Sequence, residues 1–122
     1  MAKSIMVIDD SASIRQVLNM ILSKEGFTVI EAVDGADALA KLPADSSLNL
    51  IICDVNMPNI NGIEFVIKLK ANPDHKFTPV IMLTTESEEE MKIKGMEAGA
   101  KAWLVKPFHP SQLMDAVNKL VH

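Results

Sequence analysis

The sequence is poor in the residues from which several functional classes are built. Cys53 is its single cysteine, so no intrachain disulfide is available and a reducing compartment is implied. Arg15 is its single arginine among twelve basic residues, and the formal net charge is −4. Nucleic-acid readers are ordinarily basic and arginine-rich on one face, so direct binding of nucleic acid is not expected. No apolar stretch approaches the roughly eighteen residues needed to span a bilayer. Met1-Ala2-Lys3 runs straight into a short apolar segment that stops at Asp9-Asp10, too brief for the apolar region of a signal peptide. A cytoplasmic protein without membrane contact is the expectation. His75, His109 and His122 are scattered and form no ligand set, so a relay histidine within the chain is not expected. No internal repeat, low-complexity tract or linker is visible.

What the chain does have is enough apolar residues, 48% of 122, for one core without staples. Short β-branched apolar runs recur at Ser4–Ile8, Leu50–Cys53, Val80–Leu83 and Ala102–Val105, each apolar on both faces as in a strand covered on both sides. Phe27–Ile30 is more mixed and reads as a strand nearer an edge. Helical spacing fills the intervals. Ile14, Val17, Leu18, Ile21 and Leu22 follow the polar Ser11 and stop at Gly26. Ala36 to Ala40 follow Gly35 and end before Pro43; Ile63 to Lys70 follow Gly62 and end before Pro73. Met91 to Ala98 is a charge-rich helix closed by Gly99, and Leu113 to Val121 follow Pro110 at a first helical position. Strict strand–helix alternation predicts a single α/β domain over residues 1–122, a parallel sheet with helices on both faces, and no output domain.

The polar residues gather at the strand ends. The first strand ends in Asp9-Asp10, the third in Asp54, the fourth in Thr84-Thr85 and the fifth in Lys106-Pro107. In parallel α/β sheets the carboxyl ends of the strands form the ligand crevice. Three carboxylates at one mouth repel each other unless a cation neutralises them. A hard divalent ion resolves this, and Mg²⁺ suits a few carboxylates with positions left for water and a phosphate oxygen. Asp54 could then act as a nucleophile toward phosphorus, with Lys106 as a compact positive charge and Thr84 as a hydroxyl donor. Taken singly, Asp9-Asp10 reads as a helix cap, Lys106 as a loop lysine and Thr84 as a strand-end residue. The bland readings would all have to coincide, and the joint reading is preferred.

At Val7-Ile8-Asp9-Asp10-Ser11, Asp54-Val55-Asn56-Met57-Pro58-Asn59 with Gly62, Leu83-Thr84 and Val105-Lys106-Pro107-Phe108, the chain resembles the receiver domains of two-component response regulators, and among them the chemotaxis receivers. The resemblance spans the whole chain. It implies a flavodoxin-like (βα)5 three-layer sandwich, doubly wound, with strand order 2-1-3-4-5. It implies that Asp54 is the phosphoacceptor, that Asp10, Asp54 and the carbonyl of Asn56 ligate Mg²⁺, and that Asp9 acts through water. Lys106 would contact the phosphoryl group, with a cis bond to Pro107. Thr84 would move toward the phosphate and Trp103 turn inward behind it, while Asn56 and Glu86 tune hydrolysis. The implied partners are a sensor histidine kinase, a downstream target on the Trp103 face such as the flagellar motor switch, and a phosphatase. A monomeric switch that catalyses only its own phosphorylation and dephosphorylation is expected. Two positions depart from the family: Trp103 stands where Tyr is frequent, and Thr85 where Ala is common.

Other readings of the same features are weaker. A phosphorelay intermediate or phosphate sink needs no different residues. A haloacid-dehalogenase-type phosphatase wants a second Asp two positions past the nucleophile, where this chain has Asn56. A flavin carrier wants a hydroxyl- and glycine-rich loop where this chain has Asp9-Asp10. Cys53, adjacent to Asp54 on a strand, should face the opposite side as an inert buried thiol. The acids from Glu86 to Glu90 suit a helix start, and Lys92, Lys94, Lys101 and Lys119 read as solvated lysines.

Overall fold

A computed structural model describes residues 3–43, 47–55, 57, 60–84 and 89–121. Five strands alternate with five helices: β1 (Ser4–Ile8), α1 (Ala12–Lys24), β2 (Thr28–Ala32), α2 (Gly35–Lys41), β3 (Leu48–Asp54), α3 (Gly62–Lys70), β4 (Val80–Thr84), α4 (Glu89–Ala98), β5 (Ala102–Val105) and α5 (Pro110–Leu120). All pairings are parallel and the sheet order is β2-β1-β3-β4-β5. This is the doubly wound flavodoxin-like arrangement implied by the resemblance.

Side-chain alternation along the strands splits the core in two. Met6, Ile8, Ile51, Cys53, Val80 and Met82 face α2, α3 and α4, where Phe65, Val66 and Leu69 complete the packing. Ile5, Val7, Leu50, Ile52, Ile81 and Leu83 face α1 and α5, meeting Leu18, Leu22, Leu113 and Val117. Because strands β1, β3 and β4 are covered on both sides, they read as continuous apolar runs in the sequence.

Local chemistry sets the helix ends. The Ser11 hydroxyl accepts from Ile14 N at 3.4 Å and starts α1. The helix stops at Gly26, whose φ of +92° suits a residue without a Cβ. There Gly26 N donates to Ser23 O at 3.0 Å and Phe27 N to Leu22 O at 3.1 Å. Phe27 is thereby engaged in closing the helix, so β2 begins one residue later than its apolar pattern predicts. It runs on to Ala32, because the register with β1 continues to the Ile8–Ala32 pair. Strand β3 likewise extends back to Leu48, next to Asn49 whose side chain accepts from Ser4 N at 2.9 Å.

Candidate functional site

The sheet order brings the end of β1 beside the end of β3, where Ile8 pairs with Cys53. Asp9 and Asp10 follow the one and Asp54 closes the other. Each of the three offers a carboxylate oxygen, all within 4.8 Å of one another. Asp9 and Asp54 are buried and Asp10 is exposed. With Ser11, Ile14, Lys106 and Pro107 they line an open cleft of about 650 Å³ at the carboxyl edge of the sheet.

Lys106 enters from the far side of that cleft. Its backbone N donates to Thr84 O at 2.5 Å, which ties the end of β5 to the end of β4. Its ammonium donates to Asp9 Oδ2 at 2.6 Å and lies 3.6 Å from Asp54 Oδ2, an ion pair too long for a hydrogen bond. The Lys106 side chain is 11% exposed, against 1% for Asp9 and 6% for Asp54. Such a contact is desolvated and matters far more than a surface pair. Among the described residues of the cluster, one ammonium faces three carboxylates. Asp9 Oδ1 also accepts from Ser11 N at 2.9 Å. The Lys106–Pro107 bond is cis, as the resemblance implies.

Behind Asp54 the backbone is tightly packed. Gly62 N, at the start of α3, donates to Val55 O at 3.0 Å. A Cβ on Gly62 would collide with Asp54 O and would come within 2.9 Å of Val55 Cα, so glycine is what permits this approach. Cys53 lies on the opposite face of the sheet, as expected, and its thiol donates to Asp54 O at 3.3 Å. Burial pushes that thiol well above its ordinary range, and the Asp54 and Asp9 carboxylates add to the shift. Thr84 is buried at the end of β4. Trp103 is half-buried on the same face of the sheet, two residues before Val105, the partner of Thr84. A Cβ on Gly95 of α4 would lie 3.0 Å from the Trp103 ring. Asn56, Thr85 and Glu86 lie outside the described residues.

Sequence reasoning did not find Arg15. Its Nη1 donates to the backbone carbonyl of Asp9 at 2.6 Å, and its Nε lies 3.2 Å from Glu31 Oε1. Being the lone arginine, five residues past an acid pair, was the only signal the sequence carried. His75 and His109 stand away from the cleft; His75 Nε2 sits 2.8 Å from Pro43 O, and His109 is exposed ahead of α5. Lys92, Lys94, Lys101 and Lys119 are solvated. No described helix is long and apolar enough to cross a membrane.

Residues 5–118 match the family model described as the response regulator receiver domain. The chain belongs to that family. Among solved structures, this receiver superposes on the chemotaxis protein CheY4 of Vibrio cholerae with a TM-score of 0.93 and 41% identity, over 99% of this chain and 100% of that one. It is similar to the signal receiver domain of a signal transduction histidine kinase from Syntrophus aciditrophicus, with a TM-score of 0.85 and 30% identity over 98% of this chain and 89% of that one. The transcriptional regulatory protein SrrA of Staphylococcus aureus is 36% identical over 121 residues, covering 99% of this chain. The receiver spans about half, 48%, of the length of that curated relative. Membership places the chain among the receivers of phosphorylation-based two-component signalling. Receivers are generally switches and typically bind Mg²⁺ at an acidic pocket, and the described residues of this chain include the acidic cluster of Asp9, Asp10 and Asp54.

The donor set fits that ion. Two oxygens on one Mg²⁺, with bonds of 2.0–2.1 Å, stand at most about 4.2 Å apart. The three carboxylates are within an ångström of that separation, all oxygen donors, and short of positive charge.

Proposed function

We propose that Asp54 is the phosphoacceptor of a cytoplasmic switch that takes its phosphoryl group from a phosphohistidine of a sensor kinase. The observation that supports this most is the position of the Asp54 carboxylate, at the strand end between two further acids and the Lys106 ammonium, 3.6 Å away. An Asp54 oxygen attacks phosphorus as the bond from phosphorus to the imidazole nitrogen breaks, and the electron pair leaves with the imidazole. Lys106, already between Asp9 and Asp54, has only to shift toward the incoming oxygens to stabilise them. Asp10, Asp54 and the Asn56 carbonyl would hold Mg²⁺, with Asp9 acting through water. Bound there, Mg²⁺ neutralises the carboxylates and polarises phosphoryl oxygens.

The Thr84 hydroxyl supplies a donor to the transferred group, and Trp103, behind it on the same face, reports the change at the surface. Asn56 and Glu86 tune the lifetime of the acyl phosphate. The output is a change in affinity for a protein docked over the Trp103 face, and the flagellar motor switch is the specific partner proposed. Identity of 41% to a chemotaxis protein, over 99% of this chain and 100% of that one, supports that choice. The relative named as a transcriptional regulator favours a second reading, a receiver passing phosphate within another pathway.

Incubation with acetyl phosphate and Mg²⁺, followed by intact-mass measurement, tests the chemistry. One added phosphoryl is expected, absent with EDTA and absent in Asp54→Asn. Persistence of the mass gain in Asp54→Asn would refute the assignment. Capture of motor-switch protein only by the phosphorylated form separates the two outputs.

A further inference from the structure

Asp9 is held at every polar atom. Its N donates to Ala32 O at 3.2 Å, its Oδ1 accepts from Ser11 N at 2.9 Å, and its Oδ2 accepts from Lys106 at 2.6 Å. Its carbonyl accepts from Arg15 Nη1 at 2.6 Å. Asp10 differs: it is exposed, and no side chain among the described residues hydrogen-bonds it. The direction of its carboxylate depends on the backbone that carries it, including the peptide plane that precedes it. That plane contains the Asp9 carbonyl gripped by Arg15.

The grip is itself braced. Arg15 Nε lies 3.2 Å from Glu31 Oε1 on β2, and the other Glu31 oxygen accepts from Asn19 Nδ2 at 2.9 Å, one helical turn further along α1. The Arg15 side chain is 14% exposed and that of Glu31 38%, so the guanidinium is sheltered while the carboxylate keeps part of its solvent. A planar guanidinium can direct one N–H at a carboxylate and another at a carbonyl, whereas a lysine ammonium offers no such fixed fork. We propose that Arg15 is a positioning residue for the acid pair, locking the Asp9–Asp10 peptide plane so that the Asp10 carboxylate points at the divalent-cation site. This rests on the acidic cluster being that site.

Positioning and bare electrostatics predict opposite signs. Removing a positive charge near three carboxylates should tighten cation binding, whereas releasing the peptide plane should weaken it. Mn²⁺ shares the oxygen preference of Mg²⁺, and loss of its free-ion paramagnetic resonance signal measures binding directly. Arg15→Ala and Arg15→Lys should each raise the Mn²⁺ Kd on the order of tenfold, as loss of groups that orient metal ligands commonly does. Labelling by acetyl phosphate should need correspondingly more Mg²⁺ for its half-maximal rate, with the rate at saturating Mg²⁺ near wild type. Lys24→Ala, which removes a charge from the same helix, and Val117→Ala, which loosens the core away from the cleft, should keep the wild-type Kd. Arg15→Lys carries the test if Arg15→Ala does not fold. Variants that bind Mn²⁺ as tightly as wild type or more tightly, or a Val117→Ala shift of equal size, would overturn the role of Arg15 and leave the site standing. A wild-type protein that takes up no Mn²⁺ would instead overturn the reading of the site itself.

Discussion

Within the cluster, the three acids carry different burdens. Asp9 is buried but satisfied at each oxygen, and Asp54 shares the Lys106 ammonium with it. Asp10 brings a third negative charge without a matching donor among the described side chains. At a separation near 5 Å and an effective dielectric between that of protein and water, each such repulsion costs about 1 kcal/mol. Asp10→Asn should therefore stabilise the metal-free protein by about 1 kcal/mol, raising Tm by about 4 °C. Added Mg²⁺ should raise Tm strongly in wild type and little in the variant, because a proposed ligand is gone. Thermal melts with EDTA and with Mg²⁺ read both effects. A variant less stable than wild type in EDTA would mean that Asp10 is held by contacts worth more than its repulsion.

The elements deliver these residues through contacts that leave little slack. The start of α3 lies so close to the end of β3 that a Cβ on Gly62 would strike the Asp54 carbonyl. Gly62→Ala should push the helix off the strand end and cost about 2 kcal/mol, in the range of overpacked cores. It should also slow labelling of Asp54, whereas Gly26→Ala, which meets nothing within 4 Å, should lose stability without that slowing. Denaturant melts and labelling rates compare the two. Element identity was legible because β1, β3 and β4 are sandwiched between helices, so burial imposes apolar runs on their sequences. The edges were less so. Phe27 looks like a strand residue but is drawn back by its hydrogen bond to Leu22, and Ala32 joins β2 through register alone. Asp9, Asp10, Asp54, Thr84 and Lys106 were legible because each interrupts or ends an apolar run. Arg15 was not, because its role comes from the direction of two N–H bonds, and no spacing rule encodes that. Cys53 was readable from strand alternation, which sends it and Asp54 to opposite faces.

For the molecule as a whole, the two cores fix the sheet, and the sheet gathers the ends of β1, β3 and β5 into one cleft. Residues far apart in the chain thereby meet, Lys106 and Asp9 being separated by 97 positions. The same domain is found in proteins named for chemotaxis, for transcriptional regulation and as part of a histidine kinase. On the proposed reading these proteins share one chemical centre, and in this chain the exposed helices and the Trp103 face would set the output. That centre is best tested by locating the modified atom. Borohydride reduces an acyl phosphate on aspartate to homoserine, so reduction after treatment with acetyl phosphate and Mg²⁺, followed by peptide mass mapping, marks the acceptor permanently. Homoserine at position 54 is expected, at that position alone. Homoserine at Asp9 or Asp10, or none in protein that has gained a phosphoryl group, would contradict a phosphoacceptor at Asp54.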